Sequence, residues 1–280
     1  MQPFDEPVPT ASRTSRRAAA LAVAVGMGAA LLVSAPSSAA PVASVRATCA
    51  VAAHRGDHGS HTANGLPAMR SAIAGGADYL ETDVRSTKDG HLVLMHDSRL
   101  ATTTNGTGRV RNKTLAQIRR LRLDDGSRVP TLGKLLATAK PSGVRVLMDI
   151  KSMGSMRAYK EMRREVRAFG RWRVRVTSFS TARLDTFAAI APAVPLGFIT
   201  RQPVTAAQVA PYDSVLIKGA NLTSAWLDTM PYPVYVWTVN RPGRWDSLDA
   251  DRLAGVVTND PWGFMAWRER GCADPDAKRP

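Results

Sequence analysis

The chain has 280 residues, 44% hydrophobic and 22% charged. That is enough apolar material to bury a large core in one domain, which excludes a chain disordered over most of its length. The formal charge of +15 raises nucleic acid as a partner, but the basic residues are scattered and no aromatic platform for bases accompanies them, so no nucleic-acid partner is expected.

In chain order, Arg13, Arg16 and Arg17 precede an uncharged run over residues 18–33, followed by the small residues Ser37, Ser38, Ala39 and Ala40. This is the layout of an export signal. The run falls short of the roughly 20 residues of a membrane-spanning helix. Residues 1–40 are therefore expected to be removed as a signal peptide, and residues 41–48 to form a short linker. The remainder is expected to be secreted or held in the cell envelope without stable membrane insertion. Arg16-Arg17 leaves the Sec and twin-arginine routes both open. Cys49 and Cys272, the only cysteines, bracket the expected mature domain over 49–273, ahead of a flexible tail over 274–280. Export makes them a candidate disulfide, with two free thiols as the alternative.

Eight short apolar runs then alternate with helical stretches, at 51–53, 79–84, 144–150, 174–179, 196–199, 215–217, 234–239 and 256–258. Near-continuous apolar strands separated by helices are what a parallel sheet covered on both faces requires. Eight of them predict an α/β fold closed as a (β/α)8 TIM barrel. A ninth run, 92–95, follows the second too closely for a crossover helix. Asp89-Gly90 between them is a hairpin signal, and a two-residue turn there predicts an extra antiparallel strand in which Asp83 faces His96. Farther on, Arg157, Lys160, Arg163, Arg164 and Arg167 interleave with Glu161 and Glu165 as a solvated helix face suited to ion pairs.

Reactive residues of such barrels lie at the strand C-terminal ends, which here read His54-Arg55, Asp83, Lys151, Ser178, Lys218 and Asn240. Glu81 and Asp83, two apart on a strand, project to one side, and so do Asp149 and Lys151. Carboxylates packed together repel unless a cation holds them or a salt-bridged network with Lys151 and Arg55 neutralises them. All-oxygen ligation points to a divalent cation, Mg2+ or Ca2+, with Mn2+ also compatible. His54 and His96 supply two imidazoles able to move protons near neutrality, and the Arg55 guanidinium suits phosphate oxygens. His58 and His61 are expected on a surface loop and His91 facing solvent, while Trp226, Trp245, Trp262 and Trp267 are expected to pack in the core. Ser178 lacks the Gly-x-Ser-x-Gly setting of a serine nucleophile.

Residues 53–108 resemble the glycerophosphodiester phosphodiesterase family of TIM barrels. The resemblance runs through His54-Arg55-Gly56, Gly76-Ala77-Asp78-Tyr79-Leu80-Glu81-Thr82-Asp83-Val84, Thr87-Lys88-Asp89-Gly90, His96-Asp97 and Thr102-Thr103-Thr104. It continues through Val129-Pro130-Thr131-Leu132, Asp149-Ile150-Lys151, Thr177-Ser178-Phe179, Trp237-Thr238-Val239-Asn240 and Thr258-Asn259-Asp260-Pro261. What the resemblance implies is metal-dependent hydrolysis of glycerophosphodiesters to glycerol 3-phosphate and an alcohol. His54 and His96 match the acid/base pair, Glu81, Asp83 and Asp149 the metal ligands, Arg55 and Lys151 the phosphate-binding positions, and Trp237 a wall for the glycerol end. The implied substrate is a small glycerophosphodiester or a glycerol-phosphate polymer. Two departures stand out: Ala63-Asn64-Gly65 lacks the glutamate the family carries before its Asn, and Asp149 replaces a glutamate. The alternatives are a phospholipase D or sphingomyelinase D-like lipid phosphodiesterase, and a catalytically silent barrel that binds anionic envelope polymer. Retention of both histidines and all three carboxylates argues against the silent barrel. The sequence is silent on oligomeric state.

Overall fold

All eight apolar runs form strands in the computed structural model, which describes residues 49–271; the expected leader, linker and tail, with Cys272, lie outside the described residues. In chain order the strands are β1 (Val51–Ala53), β2 (Tyr79–Ser86), β3 (Leu92–Leu94), β4 (Arg145–Ser152), β5 (Val174–Ser178), β6 (Leu196–Thr200), β7 (Val215–Lys218), β8 (Val234–Trp237) and β9 (Gly255–Thr258). Every one except β3 pairs in parallel with both neighbours, and β1 joins β2 on one side and β9 on the other, which closes the barrel. Among the described residues no helix is long and apolar enough to cross a membrane.

The two-residue alternation of strands decides what faces the barrel interior. On β2, Leu80 and Val84 point outward into the layer shared with the helices, which turns Tyr79, Glu81 and Asp83 inward. On β4, Val146, Met148 and Ile150 point outward, leaving Leu147, Asp149 and Lys151 inside. The lower interior is filled by Ala52, Leu147, Leu216, Val257 and the Tyr79–Tyr235 pair, whose hydroxyls are 3.2 Å apart. Toward the strand C-terminal ends the inward residues of β2 and β4 are polar.

β3 runs antiparallel to β2 outside the ring, with Val84 opposite Leu94 and Ser86 opposite Leu92. This corrects the expected register by one residue. The Thr87 N–H donates to the His91 carbonyl at 2.8 Å and Gly90 takes φ 80°, the left-handed residue of a three-residue turn rather than part of a two-residue one. Met95, not His96, therefore lies opposite Asp83, its N–H donating to the Asp83 carbonyl at 3.0 Å.

The basic helix spans Met156–Phe169 and buries Ala158, Tyr159, Met162, Val166 and Phe169 at helical spacing. Its Glu161 does not pair along the helix as expected. It accepts from the Leu92 N–H at 3.1 Å and bonds His91 Nδ1 at 2.9 Å, because β3 is an edge whose unpaired donors need acceptors. His91 is accordingly a packed contact and not the solvent-facing residue expected.

Trp245 and Trp267 are buried, Trp226 is partly buried, and Trp262 departs from the core expectation at 47% exposure. Trp262 is held by its indole N–H, which donates to Asp57 at 3.2 Å. Trp245 packs edge-on against Phe264 at 5.3 Å between ring centroids and donates to the Val239 carbonyl at 2.9 Å. Trp245→Ala is expected to lower unfolding free energy by about 3–5 kcal/mol through the cavity it leaves, measured by urea titration.

Candidate active site

After β1 the chain turns sharply at Arg55 and Gly56, whose φ angles are 58° and 81°. A side chain at Gly56 would meet the carbonyl carbon of Ala68 at 2.6 Å, so only glycine allows helix Leu66–Ala74 to approach this closely. The turn aims the Arg55 N–H at Glu81 Oε2 (3.0 Å) and brings the Arg55 Nε to 3.1 Å from Asp83 Oδ2.

Glu81, Asp83 and Asp149 are all buried, and each offers a carboxylate oxygen within 4.8 Å of the others. Asp83 and Asp149 sit side by side because they are register partners on β2 and β4. The Lys151 ammonium lies 2.5 Å from Asp149 Oδ2 and 3.1 Å from Asp83 Oδ1. The network with Lys151 and Arg55 therefore exists, but two cations face three buried carboxylates. The shortfall shows in their proton affinities. Burial, with Asp83 close by, pushes the Glu81 carboxyl well above the usual range. Burial likewise carries Asp149 up to about 6 despite Lys151 beside it. Burial would also raise Asp83, but Lys151 and Arg55 outweigh it and hold that carboxyl low. Asp149 Oδ1 is buried without a hydrogen-bond partner. Surplus negative charge, an orphaned oxygen and an all-oxygen donor set fit a divalent cation.

Two imidazoles border these acids. His54 Nδ1 lies 2.6 Å from Asn259 Oδ1, and Nε2 lies 3.9 Å from Glu81 Oε2. Burial, helped by Arg55, lowers the His54 imidazole to about 4 against the pull of the Asn259 hydrogen bond. It is thus neutral at pH 7, with Nδ1–H donating to the amide oxygen and the Nε2 lone pair on the acidic side. His96, in the loop after β3, has Nδ1 3.2 Å from Asp97 Oδ1. Burial lowers its affinity for a proton while the Asp83 charge opposes that shift, so the imidazole still lies within the field of the acids. His58 stacks edge-on to His54 at 5.7 Å and buries Nε2 without a hydrogen-bond partner, whereas His61 is exposed.

Trp237 is partly buried on the far side of the mouth, its indole N–H donating to the Leu216 carbonyl at 3.1 Å and its ring edge-on to Phe179 at 5.4 Å. The Lys151 ammonium lies 5.5 Å from the centre of that same Phe179 ring. Ser178 is fully buried, its hydroxyl donating to the Ile150 carbonyl at 2.9 Å, which makes it a structural link between strands. Cys49 is buried and is not a free thiol; Cys272 lies outside the described residues.

Three residues of the site were not singled out by the sequence. Asn64, in a left-handed conformation with φ 62°, donates from Nδ2 to Asp83 Oδ2 at 2.8 Å. Its Oδ1 accepts from Thr82 Oγ1 at 2.8 Å and from the Asp83 N–H at 3.1 Å. Attention to the missing glutamate at Ala63 passed over its neighbour, although an Asn-Gly pair signals such a backbone. Asn259 orients His54, and is itself set by its N–H donating to Asn240 Oδ1 at 2.9 Å. Phe179 was visible as the end of an apolar run and as part of the Thr177-Ser178-Phe179 motif, without a role of its own. Asn64→Ala is expected to cost about 1–3 kcal/mol of stability, because it strips a donor from a buried carboxylate. It should also reduce kcat/KM as Asp83 shifts; denaturant titration and steady-state assays check the two effects.

The sequence model of the glycerophosphoryl diester phosphodiesterase family matches residues 54–262. A probable glycerophosphodiester phosphodiesterase of Mycobacterium tuberculosis is 31% identical over 270 residues, covering 80% of this chain and 94% of its own. A glycerophosphodiester phosphodiesterase of Caldanaerobacter subterraneus is 29% identical over 238 residues, covering 75% and 94%. Among solved structures, an Oleispira antarctica phosphodiesterase in complex with the product sn-glycerol-3-phosphate superposes with a TM-score of 0.74 at 20% identity, covering 79% of this chain and 96% of that one. With the sequence match spanning the barrel from its first strand-end histidine to its final helix, the chain belongs to the glycerophosphoryl diester phosphodiesterase family of enzymes.

Proposed function

We propose that the protein hydrolyses glycerophosphodiesters to glycerol 3-phosphate and an alcohol, after export to the cell envelope or beyond. The observation that carries this reading is the buried trio of Glu81, Asp83 and Asp149, with His54 Nε2 3.9 Å from Glu81 and His96 within the field of Asp83. Mg2+ or Ca2+ held by that trio would supply positive charge to the phosphoryl oxygens. The relatives' names support the substrate class.

Arg55 and Lys151 line the same face as the carboxylates and hold the phosphodiester by charge-assisted hydrogen bonds. Trp237 and Phe179, edge to face, wall the glycerol end and exclude water from it. The glycerol hydroxyl beside the phosphorus attacks first, since an attached nucleophile avoids the entropy of a second encounter. His54 Nε2 takes the proton of that hydroxyl, its tautomer held by Asn259. His96 gives a proton to the departing alcohol oxygen. Water then opens the cyclic phosphate with the two roles reversed.

The test is an assay of glycerophosphocholine and glycerophosphoethanolamine with and without added Mg2+ or Ca2+, following glycerol 3-phosphate. Cation-dependent release is expected. Turnover unchanged by a chelator, or choline released only from lysolipids and sphingomyelin, would sink the reading.

A further inference from the structure

The helix Met156–Phe169 carries its charge unevenly. Arg157, Lys160, Arg164 and Arg167 recur at intervals of three and four residues and are all exposed, so they form one row on the face opposite the buried side chains. The two acids of the helix do not neutralise that row. Glu161 is drawn to the edge of β3, where it meets the Leu92 N–H and His91. Glu165 leans on helix Leu132–Ala139, so close that a side chain at Gly133 would meet its Oε2 at 3.0 Å, and it pairs with Arg164 at 3.1 Å. Among the described residues Arg157, Lys160, Arg167 and Arg171 have no ion pair. The neighbouring stretch 126–148 adds Lys134 and Lys140, both exposed, and no Asp or Glu.

Apolar side chains close both ends of the row. Met156, Trp172 and Trp262 are the large apolar residues exposed among the described residues, and two of them bracket this helix, Met156 at 46% and Trp172 at 69%. Gly170, with φ 121°, ends the helix, and the turn Arg171–Arg173 presents the Trp172 ring with the Arg171 guanidinium 4.8 Å from its centre. Arg173 fixes that turn: it lies 4.2 Å from the centre of the Phe169 ring and donates to the carbonyls of Ala139, Lys140 and Val144. Trp172 is thus held out into solvent by an anchored turn.

A helix of this length sets its cations in a row about 21 Å long, which attracts any polyanion. The apolar ends discriminate between polyanions. An indole beside a guanidinium sits favourably at the boundary between lipid head groups and acyl chains, and a hydrophilic polymer offers it no such boundary. We propose that this face docks the protein on an anionic phospholipid bilayer, with the helix flat on the head groups and Met156 and Trp172 dipping into the interface. The helix leaves the C-terminal end of β4 and returns to the start of β5, so it runs along the barrel wall. Docked in this way, the barrel mouth opens along the bilayer surface and not into it.

The test is sedimentation at low salt with vesicles of phosphatidylcholine, alone or mixed with phosphatidylglycerol. Binding is expected on the anionic vesicles and not on the neutral ones, and it should weaken as salt rises. Lys160→Gln/Arg164→Gln/Arg167→Gln should weaken it by about 10²-fold, since each cation near such a surface contributes several-fold, with the circular dichroism of the parent retained. Lys160→Arg/Arg164→Lys/Arg167→Lys should bind as the parent does. Brominated acyl chains should quench tryptophan fluorescence in the parent and much less in Trp172→Phe. Equal binding to both vesicles, a glutamine variant that binds as the parent does, or quenching undiminished in Trp172→Phe would overturn the proposal. Retention on heparin without binding to either vesicle would also overturn it, making the row a site for soluble polyanions.

Discussion

Glu81→Gln and Asp149→Asn are each expected to lower kcat/KM by about 10³-fold, equivalent to roughly 4 kcal/mol of transition-state stabilisation. The same residues should reveal themselves in stability. Without a cation, Glu81 and Asp149 have folded-state pKa values above those of the unfolded chain. Each then contributes stability that is fully present below its unfolded value and is lost as pH rises through its folded value, about 6 for Asp149. Asp83 is depressed and acts oppositely, its contribution disappearing as pH falls. A divalent cation binds the ionised trio, so added Mg2+ or Ca2+ should raise Tm more at pH 8 than at pH 5. Thermal denaturation of chelated and cation-loaded protein at the two pH values makes the comparison. An identical shift at both, or one that survives in Glu81→Gln/Asp149→Asn, would place the cation elsewhere.

His54→Ala and His96→Ala should each reduce kcat by about 10²–10⁴-fold with much smaller changes in KM. The double variant should fall well short of the product of the two effects, because residues that act as a unit lose their joint contribution once either is gone. Circular dichroism should remain that of the parent. Asn259→Ala adds a finer test: it frees the His54 Nδ1 that now lies 2.6 Å from the amide oxygen and should cost less than His54→Ala while changing the pH profile. Full activity in either histidine variant would remove that imidazole from the mechanism.

The strand order and the inward direction of Glu81, Asp83, Asp149 and Lys151 were legible in the sequence. Both are local: a buried strand advertises itself by its apolar run, and spacing by two puts side chains on one face wherever the strand goes. The two histidines also stood out, each beside a motif of the family. Asn64 did not, since its value depends on a left-handed turn that lays its amide against Thr82 and Asp83 of β2. Nor did the pairing of Glu161 with Leu92, which follows from the helix crossing an open strand edge.

What the sequence determined by itself was therefore the barrel and the inward direction of Glu81, Asp83, Asp149 and Lys151, because alternation and run length are properties of neighbouring residues. Tertiary structure alone decided the 205-residue reach from His54 to Asn259, whereas the one-residue register of β3 was set by its three-residue turn. That reach depends on ring closure, which brings β1 against β9, and no pattern along the chain carries that distance.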